Sequence, residues 1–109
     1  MPNHHRGEVS AEFGGQTYTL CLTLGALAEL ESAFGVKDLI ALAARFESGR
    51  LSARDAIRIL GAGLRGGGNQ LSDEEVGALP GDLAGHLDIV ARLLAATFGA
   101  EEAAAPNPP

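Results

Sequence analysis

The N-terminal part of the chain alternates between apolar and polar residues, which is the pattern of a half-buried β-strand. One alternating run extends from Glu8 to Phe13 and a second from Gln16 to Leu22, with the pair Gly14-Gly15 between them. Two glycines between such runs favour a tight hairpin turn, because the turns that match strand twist need positive φ. We therefore predict a β-hairpin. Its inner face should carry Val9, Ala11, Phe13, Tyr18, Leu20 and Leu22.

From Leu24 onwards the apolar residues recur at intervals of three and four, the period of an amphipathic helix. The period predicts helices from Leu24 to Phe34, from about Asp38 to Ser48, from Ser52 to a glycine-rich loop, from Ser72 to Leu79, and from about Asp82 to Phe98. The fold class is thus α+β, an N-terminal β-hairpin followed by a bundle of four to five short helices. Apolar residues predicted to face inward lie on four of these helices. They are Leu24, Leu27, Leu30 or Glu31, and Phe34 on the first; Leu39, Leu42, Ala43 and Phe46 on the second; Ala56, Ile57, Leu60 and Leu64 on the third; and Leu83, Leu87, Val90, Leu94 and Phe98 on the last.

Capping residues mark several helix ends. Thr23 is placed to begin the first helix, and serines at positions 52 and 72 each precede an acidic residue by three, as in a capping box. Glycines at positions 35 and 49 are placed to end the first and second helices in left-handed conformation.

A chain of 109 residues suits one domain with one core. We predict that residues 7–99 form this single hairpin-plus-helical domain and that residues 1–6 are a flexible N-terminus. Residues 100–109 are rich in alanine and proline and carry no apolar anchor, which indicates a disordered tail.

Charge and cysteine content exclude several classes of function. The formal net charge is −6, from 14 acidic and 8 basic side chains, and such a field disfavours binding to nucleic acid. Cys21 is the only cysteine in the sequence, so no intramolecular disulfide can form. The sequence shows neither a signal peptide nor a run of apolar residues long enough to span a bilayer, so we expect a cytoplasmic protein with no membrane partner.

Candidate motifs for cofactors and catalysis are weak. Gly61 to Gly66 fits the letters of GxGxxG, but the nucleotide-binding motif must follow a strand and open a helix, whereas this one ends a helical pattern. The alternative is that Gly61 and Gly63 permit close packing or bending of the helix. His4, His5, His86 and Cys21 fit no zinc spacing, and nothing in the sequence activates Cys21 as a nucleophile. We predict no enzyme activity, no cofactor, no metal and no small-molecule substrate.

A row of arginines is the most informative charge feature. Arg54, Arg58 and Arg65 fall within about 40° of each other on one side of the third predicted helix. The row could be a solvated face or pair internally with the acidic C-terminal third of the chain, and alternatively it could be a docking surface for an acidic partner helix. We take Tyr18 and Leu20 of the hairpin, together with these three arginines, as candidate protein-binding residues.

Several ordered blocks of sequence carry a family resemblance. They are HRGEV at residues 5–9, the run from Tyr18 to Glu31, Phe34-Gly35, and the run from Gly49 to Arg54 that leads to Gly61–Arg65. Together they cover most of residues 4 to 98, and the chain resembles the gene-transfer-agent family of tail proteins, which is grouped with phage tail assembly chaperones.

The resemblance implies a non-catalytic tail assembly chaperone, which binds the tape measure protein and assists tail tube assembly, with a possible homo-oligomer. An exposed hairpin edge and amphipathic helices would suit strand addition and helix-in-groove binding. The alternative is a structural tail (tube) component retained in the particle. Because a tube subunit is expected to be a β-rich sandwich and only one hairpin is predicted, the chaperone is favoured at this point. An unrelated interaction module is a third possibility.

Overall fold

The local sequence signals give a hairpin and a series of helices, and the computed structural model, which describes residues 7–48 and 50–99, has both. The strands are β1 (Glu8–Phe13) and β2 (Gln16–Cys21). Within the described residues the helices are α1 (Leu24–Phe34), α2 (Leu39–Glu47), α3 (Ala53–Gly66), α4 (Asp73–Gly77) and α5 (Leu83–Phe98). The predicted α+β class is confirmed. The predicted flexible N-terminus with His4 and His5, the predicted tail at 100–109 and Gly49 lie outside the described residues.

The hairpin forms because both turn residues can adopt positive φ. Gly14 has φ 61° and Gly15 has φ 86°, and the strands pair antiparallel with Phe13 opposite Gln16 and Val9 opposite Leu20. The inner face predicted from the alternation is buried at Val9, Ala11, Phe13, Leu20 and Leu22, and Tyr18 is half-buried beside it.

Helix α3 lies at the centre of the fold. It packs against β2, α1, α4 and α5, and its inward residues Ile59 and Leu64 have no exposed surface. The predicted contacts of Ala56 and Leu60 are confirmed, whereas Ile57 is only half-buried. The buried apolar residues of the hairpin and the helices form one cluster around this helix.

The predicted caps are confirmed in the described residues. Thr23 Oγ1 accepts a hydrogen bond from the Ala26 backbone N–H at 3.1 Å, and capping boxes form at Ser52 with Asp55 and at Ser72 with Glu75. Gly35 ends α1 with φ 72° in left-handed conformation. These are interactions between near neighbours in the chain, which is why the sequence alone reveals them.

Four leucines predicted to face inward are exposed. Leu24 and Leu39 are the first residues of α1 and α2, and their side chains are 79% and 40% exposed. On α5, Leu83 is 65% and Leu87 38% exposed, because a different stripe of this helix faces the core. The core stripe of α5 consists of Ile89, Val90 and Leu93, of which only Val90 was predicted.

Candidate assembly surface

The glycines of the GxGxxG stretch serve packing between elements. A β-carbon at Gly63 would lie 2.6 Å from Leu93 Cδ2 of α5, and one at Gly66 would overlap the carbonyl oxygen of Cys21 in β2. At Gly61 a β-carbon would overlap the Asp73 carboxylate at the start of α4. The motif lies at the C-terminal end of a helix and lets three neighbours approach it, so the packing alternative accounts for all three glycines.

Side chains from α5 and from the loop after α3 donate hydrogen bonds to the outer edges of the two hairpin strands. The Asn69 side-chain amide donates a hydrogen bond to the Thr19 carbonyl of β2 at 2.8 Å, beside the glycines at the end of α3. Arg92 Nη1 of α5 donates to the Ser10 carbonyl of β1 at 3.1 Å. The prediction of an exposed hairpin edge suited to strand addition is therefore wrong at these two carbonyls, which protein donors already occupy.

The two hairpin residues predicted to bind protein differ in accessibility. Leu20 is fully buried at 0% exposure, so its side chain belongs to the core and is not available to a partner. Tyr18 is half-buried, its ring contacts Phe13 edge-on at 5.6 Å between centroids, and its hydroxyl donates to Gln16 Oε1 at 2.9 Å. Only Tyr18 of this pair retains surface that a partner could contact, and its role in binding stays a prediction.

The first two arginines of the predicted row point outward from α3. Arg54 is exposed, and in the described part of the chain no ion pair or hydrogen bond of its side chain is found. Arg58 is half-buried, and its Nη1 donates to the Ala33 carbonyl at 3.1 Å, in the last turn of α1. A cation near the C-terminal carbonyls of a helix is favourable, so Arg58 has a structural role that the sequence pattern did not indicate.

Arg65, the third member of the row, is bound within the protein. Its guanidinium pairs with Glu29 of α1, lies 3.1 Å from Asp73 Oδ1 of α4, and donates to the Leu71 carbonyl at 2.7 Å. Partial burial opposes its charge, but the two carboxylates of Glu29 and Asp73 outweigh this effect and raise the pKa of Arg65. The internal-pairing alternative therefore applies to Arg65, which ties α1, α3 and α4 together.

No reactive cluster is found in residues 7–48 and 50–99, where no three histidine, cysteine or acidic side chains are placed to hold a metal ion. His86 stacks on Phe13 at 5.5 Å between ring centroids, and its Nδ1 donates to the Asp82 carbonyl at 2.7 Å. Cys21 lies half-buried on the face of β2 opposite the core, as predicted. None of the helices described here has the length and apolar content needed to cross a bilayer.

Exposed apolar side chains are concentrated on α2 and α5. Ile40 of α2 is 83% exposed and lies next to Leu39, while Leu83 and Leu87 lie one turn apart on α5. Between the two helices is an open groove lined by Ala43, Phe46, Glu47, Ala91, Leu94, Ala95 and Phe98. Large apolar side chains that remain in water in pairs and beside an apolar groove are typical of a surface that another protein covers.

Comparison with protein families identifies the chain. Residues 6–100 match the family described as "Phage tail tube protein, GTA-gp10". The chain belongs to this GTA-gp10 family of phage tail proteins. Neither the curated proteins nor the solved structures include a match.

The family match supports the gene-transfer-agent resemblance and corrects the function inferred from it. GTA-gp10 proteins are described as tail tube proteins, so the tail assembly chaperone is wrong and the structural alternative is favoured. The chaperone was favoured because a tube protein was expected to be a β-rich sandwich. This member of the tail tube family has a single hairpin among its described residues. The family is named for a structural component, and a structural family of this kind is not typically enzymatic.

The sequence missed the residues that bind the elements of this GTA-gp10 protein together. Asn69 and Arg92 make their contacts with residues 50 and 82 positions away in the chain, respectively, and Glu29 meets Arg65 across 36 positions. Neither period nor local motif carries information on such pairs. The acidic residues at Glu29 and Asp73 were the available signal, since a basic row needs partners if it is to pair internally.

Proposed function

We propose that this chain is a structural subunit of a gene-transfer-agent-type tail that is retained in the finished particle. The observation that carries the proposal is the family match, which extends over residues 6–100 and therefore over nearly the whole chain. A structural subunit acts by surface complementarity, and the exposed apolar surface of α2 and α5 is consistent with such a role.

We place the main contact on the helical side of the molecule. Donors from α5 and from the loop that follows α3 already occupy one outward carbonyl on each hairpin strand, which makes strand addition at those positions costly. The groove between α2 and α5, together with the exposed Ile40 and Leu87 of the same two helices, offers apolar surface without such a cost. An apolar helix laid into a groove of this kind is a common mode of association.

The arginine row contributes in part to the proposed surface. Arg54 keeps its charge in solvent and is free to meet an acidic group on a partner, while Arg58 can do so only by giving up the Ala33 carbonyl. Arg65 is left out, because its guanidinium is committed to Glu29 and Asp73. Tyr18 remains a candidate contact on the hairpin.

The partners that we propose are other tail proteins. They are tail tube subunits, the tape measure protein, or further copies of this chain in a homo-oligomer. A tail is built by repeated contacts between identical subunits, so a contact between copies would be used many times, and a modest apolar patch on one chain could then suffice.

Co-sedimentation with particles tests the proposal. A tagged chain expressed in the producing cells should migrate with purified particles in a density gradient, and Ile40→Ser should reduce the fraction that does so. Ala44→Ser is the matched control, since Ala44 is also exposed and lies one turn further along α2. If the wild-type chain stays at the top of the gradient with the soluble proteins, the structural role is excluded. If the wild-type chain migrates with particles and Ile40→Ser does so equally well, the proposed surface is excluded.

A further inference from the structure

The segment from residue 70 to residue 81 is attached to the rest of the fold at two places, through α4 on α3 and through Pro80, which packs against Gly14 of the hairpin turn. Its helix, α4, packs against α3 and has no comparable contact with another element. Two glycines with positive φ lie on either side of the helix. Gly68, with φ 99°, precedes the segment, and Gly81, with φ 130°, is its last residue. Asn69 fixes the start of the segment through hydrogen bonds to the Thr19 and Leu64 carbonyls. Gly81 can therefore change its backbone angles with little strain, whereas Asn69, downstream of Gly68, keeps the other end of the segment in place.

Few side chains hold α4 on α3. Val76 is the one buried residue of α4, at 4% exposure, and a β-carbon added at Gly77 would lie 3.3 Å from Ile57 Cδ1. Beside this contact lies a partly open pocket of about 120 Å³, between α3, α4 and the start of α5. Its lining is mostly apolar and consists of Ala53, Ala56, Ile57, Leu60, Val76, Gly77, Leu79, Leu83 and His86. Side chains that line an open pocket make fewer packing contacts than side chains in a filled core, which limits the strength of the attachment.

Arg65 makes the polar attachment. Its Nη1 donates to the Leu71 carbonyl at 2.7 Å and lies 3.1 Å from Asp73 Oδ1, so one guanidinium holds both the start of the segment and the first residue of α4. Among the described residues this buried Asp73 oxygen has no hydrogen-bond donor with good geometry, so the charge of Arg65 is what compensates its burial. The carboxylate fits against α3 only because Gly61 has no side chain.

We propose that residues 70–81 form a strap that detaches and unwinds in one step while α3 stays folded, with Arg65 as its latch, and that opening uncovers the apolar face of α3 at Ile57 and Leu60. The inference comes from the packing of this segment and does not rest on the proposed place of the chain in a tail. In the closed form the strap withholds from solvent an apolar face that borders the exposed Leu83. The open form joins these residues into one larger apolar patch.

Native-state amide hydrogen exchange tests the strap in the full-length protein. The amides of Val76, Ala78 and Leu79 donate backbone hydrogen bonds within the strap and report its opening. They should exchange much faster than the buried amides of α3, and their exchange should depend only weakly on urea, because a local opening exposes little surface. Exchange of strap and α3 amides at one common rate, with one common urea dependence, would overturn the proposal.

A pair of charge variants tests the latch. Asp73→Asn should raise the exchange rates of the strap amides about tenfold and leave those of α3 unchanged, because it removes the charge that Arg65 holds. Glu74→Gln is the matched control. Glu74 is exposed in the same first turn of α4, and its substitution removes the same charge from the helix N-terminus. Equal effects of the two variants, or equal acceleration of α3 in Asp73→Asn, would exclude Arg65 as the latch. If Asp73→Asn fails to fold, the urea dependence of exchange in the wild-type protein tests the strap. The variant Glu29→Gln leaves the Asp73 carboxylate in place and serves as the contrast for the latch. Its strap amides should exchange at rates near wild type.

Discussion

Gly66 lies directly against the carbonyl oxygen of Cys21, so that the end of α3 touches the backbone of β2 without any side chain between them. Gly67 approaches the Thr19 carbonyl in the same way. The contact brings the central helix onto the edge of the hairpin, where Asn69 then completes the attachment with its hydrogen bond to Thr19. The junction between the β part and the helical part of the fold therefore depends on the absence of a β-carbon at these positions.

Replacing Gly66 with alanine should destabilise the protein by about 2 kcal/mol or more, because the new methyl group would meet backbone atoms that cannot rotate away. The free energy of unfolding from urea titration measures the effect. Gly25→Ala is the matched control, since Gly25 is an exposed helical glycine and only Thr23 Oγ1 lies near its added β-carbon, at 3.9 Å. This control should be neutral or stabilising by up to about 1 kcal/mol. Equal effects of the two substitutions would contradict the close contact with Cys21.

Arg65→Gln should lower the free energy of unfolding by about 1–2 kcal/mol, because it leaves the buried oxygen of Asp73 without an opposite charge. The expected loss of unfolding free energy is small because Arg65 and both of its carboxylate partners remain in contact with solvent, which weakens their attraction. Arg54→Gln on the same helix should change stability by less than about 0.5 kcal/mol. High salt should shrink the difference between the Arg65 variant and wild type. A neutral Arg65→Gln would show that the cluster of charges contributes nothing to folding.

The pH dependence of the same variant follows from the raised pKa of Arg65. A raised pKa in the folded state means that the stabilisation is fully present below the ordinary pKa of arginine and is lost only as pH rises through the folded value. Titration of Arg65 therefore adds no pH dependence between about pH 6 and pH 9. Urea titrations of wild type and Arg65→Gln across this interval should differ by a constant amount. A difference that declines towards pH 9 would contradict the assignment.

Arg92→Ala should increase the tendency of the purified protein to self-associate, because it releases the Ser10 carbonyl on the edge of β1. Sedimentation velocity at increasing concentration measures this. Asp88→Asn serves as control, since it removes the ion pair between Asp88 and Arg92 but leaves the bond from Arg92 to Ser10 available. If neither variant self-associates more than wild type, Arg92 does not protect the strand edge.

The elements that depend on near neighbours in the chain could be predicted from the sequence. The hairpin follows from alternation around Gly14-Gly15, and the helix starts follow from capping residues such as Ser52 and Ser72, all of which act within a few positions. The packing role of Gly61 also followed from its place at the end of a helical pattern rather than at the start of one.

Orientation and long-range pairing could not be predicted, because the sequence offers more than one solution. Helix α5 carries apolar residues on two sides, and its period does not say whether Leu87 or Leu93 meets the core. The arginine row was equally compatible with solvent, a partner or internal carboxylates, and the structure divides it between Arg54 in solvent and Arg65 in an internal cluster. The small number of predicted strands likewise led to the wrong function, the chaperone, since a chain with one hairpin can belong to a tail tube family.

Absolute quantification of this chain in purified particles tests the structural role most directly. Isotope-labelled reference peptides from α3 and α5 would give its copy number relative to a capsid protein by mass spectrometry. The account predicts many copies per particle, retained after washing in high salt. Fewer than one copy per particle, with the chain abundant in the lysate before assembly, would contradict it.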